Sequence, residues 1–192
     1  MASRFNQRLQ LDYFEALDSI FLVIIDECFR YVQARQVKGY TAEEAATVLL
    51  QTWLRYFGNP ECITCDQGGS FASTEFGSYL ERWSIARHLG GADGSNPAQH
   101  TLTGLVERHV ELLRMALLKL DADLQSQGLD MFLTYDELIA EVCVGMNTML
   151  IWHGVVPVQG VTGSGGTLDL VDQADNTPLD STDDASDLCE RA

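Results

Sequence analysis

Basic residues are scarce in this sequence, where 12 Lys and Arg stand against 28 Asp and Glu and the formal net charge is −16. Each phosphate that a protein neutralises needs a placed Lys or Arg. The scarcity therefore excludes a protein that coats nucleic acid through bulk positive charge, and any phosphate contact has to be local.

Cysteine is also scarce. The five cysteines are an odd number and too sparse for a disulfide scaffold, which favours reduced thiols in an intracellular protein. Cys62 and Cys65 have C-x-x-C spacing, but no second Cys/His pair follows at suitable spacing, so a buried strand pair is favoured over the alternative of a zinc site. No stretch approaches the roughly 18 apolar residues of a membrane span, and the N-terminus lacks the apolar core of a signal peptide. We expect no membrane association.

The chain divides into compositional units. With 46% hydrophobic residues it can bury one core. From Leu168 onward it carries eight acids, one base and no aromatic residue, a composition typical of disorder. We expect residues 1–8 to form an N-terminal arm, residues 9–163 to form one core domain, and residues 164–192 to form an acidic, disordered tail.

Hydrophobic patterns in the first 90 residues predict three strands, a helix, a strand, a helix and a strand. This order indicates a mixed α/β fold with helices packed on a sheet. The predicted strands cover residues 9–12, 21–25, 31–37, 61–65 and 85–89, and the predicted helices cover residues 45–57 and 74–83.

A glycine-rich segment at residues 90–104 predicts a mobile loop, longer than ordinary connections. After it, an apolar stripe spaced four and three residues apart predicts a long helix over residues 105–127, which Gly128 ends. The pattern from Thr134 to Glu137 is a capping box, and it predicts a last helix running to about residue 152.

Three acids stand at distinct points of this predicted fold: Asp12 on the first strand, Asp66 at the end of the fourth, and Glu107 in the first turn of the long helix. Neighbouring strands can bring two of them together, and a helix on the sheet can supply the third. Crowded carboxylates repel one another, and hard divalent ions such as Mg²⁺ neutralise them. The alternative is coincidence, because a chain with 28 acids has some such triple by chance.

The sequence around these acids resembles the catalytic core of retroviral and gypsy-type retrotransposon integrases, the DDE branch of the ribonuclease H-like fold. The resemblance runs from about Phe5 to Gly163. The matching stretches are Leu11-Asp12, a D-x-G-x-x-F turn at Asp66, Gly68 and Phe71, G-L-V-E-R at residues 104–108, and an N…P…G ending at Asn147, Pro157 and Gly163.

The resemblance implies an α/β fold of the ribonuclease H-like kind, with a mixed five-stranded sheet and helices on both faces. It implies that Asp12, Asp66 and Glu107 are catalytic and bind two Mg²⁺ or Mn²⁺ ions. The implied activity is DNA integration by polynucleotidyl transfer, with 3′-end processing followed by strand transfer. The implied partners are DNA, further copies in a homodimer or higher oligomer, and the remaining domains of a polyprotein. Nuclear action is implied as well, although this chain shows no targeting signal.

Several polar residues near the acids are candidate DNA contacts, and ordinary solvated loop and helix residues are the alternative for each. These candidates are Gln67, Asn96, His100, Arg108, Arg114 and Lys119. A second functional class also stays open, namely a catalytically inactive integrase-derived interaction module or a degenerate retroelement fragment. It is favoured by the acidic balance, by Glu111 one turn after Glu107 where basic residues are usual, and by the lack of flanking zinc and basic modules.

Overall fold

The computed structural model describes residues 2–90, 97–129, 132–151 and 154–163. These residues form one sheet whose strand order is β3-β2-β1-β4-β5. The first three strands pair antiparallel, β4 runs parallel to β1, and β5 runs parallel to β4. The predicted mixed five-stranded sheet is confirmed. Its strands are β1 (Arg8–Ala16), β2 (Ser19–Asp26), β3 (Val32–Val37), β4 (Cys62–Asp66) and β5 (Ala86–Gly90).

The helices begin where the capping residues indicate. Thr41 accepts a hydrogen bond from the backbone N–H of Glu44, and the capping box of Thr134 and Glu137 is formed as predicted. The helices are α1 (Ala42–Leu49), a π-helical continuation (Leu50–Leu54), α2 (Arg55–Phe57), α3 (Gly69–Ala72), α4 (Thr74–Arg82), α5 (Pro97–Gln127), α6 (Tyr135–Met149) and α7 (Pro157–Thr162).

Both faces of the sheet are covered, because successive side chains of a strand point to opposite sides. Leu9 and Leu11 of β1 pack into the layer that contains α1 to α4. Phe14 of β1 packs into the layer formed by α5 and α6. The same alternation places Cys62 and Cys65 of β4 on opposite faces of the sheet. Both side chains are buried, which agrees with the prediction of two buried strand residues.

The two largest differences between predicted and observed boundaries lie at α5 and β1, and α6 ends at Met149, before the predicted end near residue 152. Helix α5 begins at Pro97, whereas residues 90–104 were expected to be a loop. Proline fits the first turn of a helix because its fixed φ is already helical and its missing N–H costs no hydrogen bond. Glu107 therefore lies well inside α5 and not in its first turn. Strand β1 continues to Ala16, beyond the predicted end at residue 12, because Tyr13 and Phe14 extend its pairing with β2.

The acidic segment 164–192 lies outside the described residues. Within the described ranges, no helix combines the length and the apolar character that a membrane crossing needs.

A side chain of α6 caps the free edge of the sheet at β3. Asn147 is only 4% exposed, and its Oδ1 accepts a hydrogen bond from the backbone N–H of Val32 at 2.8 Å. Its Nδ2 donates to the carbonyl oxygen of the same residue, also at 2.8 Å. One amide side chain thus satisfies both backbone groups of an edge-strand residue that would otherwise be buried without partners.

Replacing Asn147 by alanine should lower the free energy of unfolding by about 2–3 kcal/mol, since it leaves a buried N–H and a buried carbonyl of Val32 unpaired. Urea unfolding measures this change. The control is Val144→Ala on the exposed side of the same helix, which should change stability by less than about 0.5 kcal/mol. Equal effects of the two substitutions would contradict the capping role.

Candidate active site

Asp12 and Asp66 are brought together by the parallel pairing of β1 and β4. Leu11 pairs with Cys65 in this register, so the next residues along the two strands are neighbours. Adjacent strands lie about 4.8 Å apart. Leu11 and Cys65 face the layer of α1 to α4, and therefore Asp12 and Asp66 face the opposite side, where α5 packs.

Helix α5 brings the third carboxylate to this pair. Its buried stripe, which includes Val106, Val110 and Leu113, packs on the sheet and orients the helix. Glu107 follows Val106 and is exposed at the rim of that stripe. All three acids line one cavity of about 170 Å³, here called the acid cavity. Its walls are Asp12, Asp66, Glu107, Gln10, Leu11, Thr64, Cys65 and Val106.

The pKa of Asp12 reflects its burial first and the neighbouring acids second. Burial is the main cause that raises the pKa of its carboxyl to about 6, and the charges of Asp66 and Glu107 act in the same direction. Two effects act in the opposite direction: the backbone N–H of Tyr13 donates to Asp12 Oδ1 at 2.8 Å, and the guanidinium of Arg114 favours the ionised form. Asp12 thus sits where a cation would stabilise its ionised form.

Gly68 is required by the position of the Asp66 carboxylate. A Cβ atom at residue 68 would lie 2.6 Å from Asp66 Oδ2, far inside van der Waals contact. The backbone of Gly68 has an ordinary extended conformation, so the requirement comes from close approach and not from an unusual φ. Gly68, two residues after Asp66, therefore leaves room for the Asp66 carboxylate to lie over the turn.

A larger cavity of about 480 Å³, here called the aromatic cavity, opens beside the acids and shares Asp12 and Asp66 with the acid cavity. Tyr13 forms one wall: its ring stacks on Phe71 with centroids 4.7 Å apart, and its hydroxyl lies 3.1 Å from Ser70 Oγ. Tyr40 packs edge-on against Tyr13 at 5.0 Å. Asp12 and Asp66 therefore lie between the two cavities, whereas Glu107 lines only the acid cavity.

Arg114 is the predicted DNA contact that lies in this site. It lines the aromatic cavity, its guanidinium lies 5.9 Å from the centre of the Phe14 ring, and it donates to Glu111 at 3.0 Å. Arg108 and Lys119 are exposed on α5 and line neither cavity. Gln67 is exposed in the turn after β4.

Two candidate DNA contacts have no described side chain. Asn96 lies outside the described residues. His100 belongs to the backbone of α5, but its side chain lies outside the described part of the structure.

Sequence reasoning missed Tyr13, Tyr40 and Ser70 as parts of the site. The D-x-G-x-x-F pattern held a usable signal for two of them, because its Phe71 stacks on the residue after Asp12 and Ser70 precedes it. No sequence pattern indicated Tyr40, because its position beside Tyr13 depends on the conformation of the segment that connects β3 to α1.

The donor set fits a hard divalent cation, because all three acids offer carboxylate oxygens to one cavity and repel one another without a counter-charge. The fit is incomplete as the side chains stand. Among the described residues, no three His, Cys, Asp or Glu side chains already converge closely enough to hold a metal ion. A change of side-chain rotamers or bound water would have to complete the coordination shell.

Comparison with known proteins gives structural matches only; no protein-family model and no curated protein matches the sequence. The HTLV-2 integrase catalytic core, solved with magnesium in a trimeric form, matches with a TM-score of 0.66 at 21% identity, over 83% of this chain and 98% of that one. The same core has been solved with magnesium in a dimeric form, which matches equally well.

Two further integrase structures agree with this result. The simian T-cell lymphotropic virus intasome, in complex with the PP2A regulatory subunit B56 gamma, matches with a TM-score of 0.67 at 24% identity, over 82% of this chain and 55% of that one. The BIV integrase catalytic core matches with a TM-score of 0.63 at 20% identity, over 88% of this chain and 97% of that one. The chain has the ribonuclease H-like fold of retroviral integrase catalytic cores, and the predicted fold and resemblance are confirmed.

The raised pKa of Asp12 predicts a pH-dependent stability. The folded-state pKa of about 6 exceeds the value near 4 of an unfolded chain, so the protonated carboxyl stabilises the folded state. This contribution is fully present below about pH 4 and is lost as the pH rises through about 6. Asn cannot ionise, so Asp12→Asn should not lose this contribution in metal-free buffer. Between pH 4 and pH 7.5 its free energy of unfolding should rise by about 1–2 kcal/mol relative to that of wild type, a range that allows for screening by water.

Urea unfolding across this pH range makes the measurement. The matched control is Asp18→Asn, an exposed position in the turn after β1 that lines neither the acid cavity nor the aromatic cavity. Its stability relative to wild type should stay flat. Parallel pH profiles for the two variants would show that Asp12 is not perturbed by the acid cavity.

Proposed function

We propose that this chain is an integrase-like catalytic core that carries out metal-dependent polynucleotidyl transfer on DNA, with 3′-end processing followed by strand transfer. One observation carries the proposal. Asp12, Asp66 and Glu107 come from β1, β4 and α5, far apart in sequence, and line a single cavity in a fold shared with integrase catalytic cores. Chance placement of acids near loop ends gives no reason for such convergence.

The three carboxylates would hold the metal, and we propose two Mg²⁺ or Mn²⁺ ions. The HTLV-2 integrase catalytic core, which shares the fold, was solved in complex with magnesium. When bound, a pair of such ions stabilises the attacking and the leaving oxygen of a phosphoryl displacement. Their charge would also offset the burial and the acidic neighbours that together raise the pKa of Asp12.

The protein itself would supply position and charge. The aromatic cavity offers space for a nucleotide beside the acids, against the wall that the contacting rings of Tyr13 and Tyr40 form together. Arg114 lines the same cavity and presents a guanidinium that can bind a phosphate. The Tyr13 hydroxyl, the Ser70 hydroxyl and the Phe71 ring hold this wall in place. Catalysis would then come from orientation and electrostatic stabilisation, without a covalent protein intermediate.

Arg114 also answers the objection from the net charge of −16. A cation inside the aromatic cavity gives local attraction for one phosphate, which bulk charge does not provide here. We further propose that the chain acts as a dimer or higher oligomer, supported by the dimeric and trimeric forms of the HTLV-2 core and by the intasome of the simian virus. Residues 9–163 would form the core, and other polyprotein domains would complete its binding to DNA.

A catalytically inactive interaction module with the same fold is the second candidate. It is favoured by the acidic net charge and by the lack of a ready three-ligand cluster among the described residues.

The test is a nicking and strand-transfer assay on DNA with Mg²⁺ or Mn²⁺. Asp66→Asn should reduce the activity by about 100-fold or more, because it removes a proposed metal ligand at the junction of both cavities. Glu81→Gln, an exposed acid on α4 away from both cavities, is the matched control and should keep full activity.

Three results are distinguishable. Activity lost only in Asp66→Asn supports the proposed chemistry. Activity retained in Asp66→Asn overturns the role of that residue. No activity in the wild-type chain, with the protein folded, supports the inactive module.

A further inference from the structure

A second row of polar side chains lines the inner wall of the acid cavity. In the parallel pairing of β1 and β4, Gln10 lies beside Thr64, two residues before Asp12 and Asp66. Side chains two positions apart along a strand point to the same face, with a rise of about 6.6 Å between them. Gln10 and Thr64 therefore face α5 as the two acids do, and both line the acid cavity.

Each of these two side chains has a buried oxygen to which no described part of the chain forms a hydrogen bond. The atoms are Gln10 Oε1 and Thr64 Oγ1, and Gln10 is only 2% exposed. Buried acceptors without a partner are costly, and in most proteins such atoms bind water or a ligand. The other wall residues besides the acids are Leu11, Cys65 and Val106, whose side chains offer no strong acceptor. The inner row thus adds two acceptors to the space beside the acids.

Glu27 fixes the direction of the Gln10 amide. Glu27 follows β2 directly and is 4% exposed, and Gln10 Nε2 donates to its Oε1 at 3.0 Å. A carboxylate accepts and does not donate, so the amide nitrogen has to face Glu27, and Oε1 is the atom left for the cavity. The backbone of Glu27 is itself held on both sides. Its N–H donates to the carbonyl oxygen of Arg8 at 3.0 Å, and its carbonyl accepts from Arg30 at 2.6 Å.

We propose that Gln10 and Thr64 are positioning residues of the proposed metal site, with Glu27 behind them as the residue that orients the Gln10 amide. In this role Gln10 Oε1 and Thr64 Oγ1 accept hydrogen bonds from water in the coordination shell of the ion. The inference rests on the proposed function, because it needs a divalent ion between the acids.

The space and the spacing both favour contact through water. Mg²⁺ keeps several waters when it binds to a protein, and a cavity of about 170 Å³ can hold such water, since one molecule takes about 30 Å³ in the liquid. The rise of about 6.6 Å from the inner row to the acids is too long for direct ligation by both rows at about 2.1 Å, but it suits a bridge through one water. Such water would complete the coordination that the described carboxylates do not provide as they stand.

Titration with Mn²⁺ alone, without DNA and followed by the paramagnetic resonance signal of the free ion, tests the role of Thr64. Thr64→Val keeps the shape and removes the hydroxyl, so the dissociation constant for Mn²⁺ should rise about tenfold or more. Thr64→Ser keeps the hydroxyl and should stay within about threefold of wild type.

Thr52→Val is the matched control. Thr52 Oγ1 is also buried without a partner among the described residues, but it belongs to the π-helical continuation of α1 and lines neither the acid cavity nor the aromatic cavity. This substitution should leave the dissociation constant within about twofold of wild type. In metal-free buffer the urea midpoint of Thr64→Val should not fall below that of wild type, because the lost hydroxyl has no partner in the described protein. Loss of metal binding is thereby separated from loss of the fold.

A double-mutant cycle tests the orienting role of Glu27. The amide side chain introduced by Glu27→Gln can donate as well as accept, so the Gln10 amide is no longer held in one direction, and the dissociation constant for Mn²⁺ should rise about threefold or more. Gln10→Met removes the acceptor and should raise the constant about tenfold. In the Gln10→Met background, Glu27→Gln should change it by less than about twofold, because its influence passes through the amide. An equal effect of Glu27→Gln in both backgrounds would show that Glu27 acts through its charge and would overturn its orienting role.

Failure of this inference and failure of the proposed function give different results. A wild-type chain that binds no Mn²⁺ overturns the metal site and the inference with it. Wild-type binding that Thr64→Val and Gln10→Met both leave unchanged overturns the inference alone. Weaker binding in both variants, with Thr64→Ser and Thr52→Val close to wild type, supports it.

Discussion

Burial of the Asp12 carboxyl beside Asp66 and Glu107 is the constraint on which the rest of this structure depends. Folding brings them to one cavity, and the pKa of Asp12 rises to about 6 as a result of burial and of the two neighbouring charges. The fold must therefore supply enough stability elsewhere to hold a buried carboxyl beside two other acids. A buried acid with a raised pKa in a cavity beside other carboxylates is typical of a functional site.

The stability comes from the two layers that hold the acid-bearing elements. Backbone pairing fixes β1 beside β4. The apolar side chains of the α1 to α4 layer pack on the face of both strands that is opposite the acids. The buried stripe of α5 fixes the helix on the near face. Asn147 holds the outer strand β3 to α6, so the sheet cannot open from that edge. Each acid thus projects from an element whose position is set by packing and not by the site itself.

The sequence predicted most of the sheet because its strands are continuous apolar or alternating runs, and it predicted Asp66 at a strand end because a glycine turn follows. It failed at the start of α5, where glycine and asparagine suggested a loop although Pro97 can open a helix. The sequence analysis also gave Arg114, Arg108 and Lys119 the same rank as candidate DNA contacts. The spacing of seven residues already places Arg114 on the same side of α5 as Glu107, with Arg108 and Lys119 on other sides. Only the packing of α5 on β1 shows that this side reaches the aromatic cavity.

The central claim is that these three acids form a binding site for divalent ions. Anomalous scattering from crystals grown with Mn²⁺ tests it most directly, because it locates the ion without reference to activity. The account predicts a manganese peak about 2.2 Å from carboxylate oxygens of Asp12 and Asp66, with Glu107 in its coordination shell directly or through water. Manganese bound elsewhere on the chain, with the acid cavity empty at saturating metal, would contradict it.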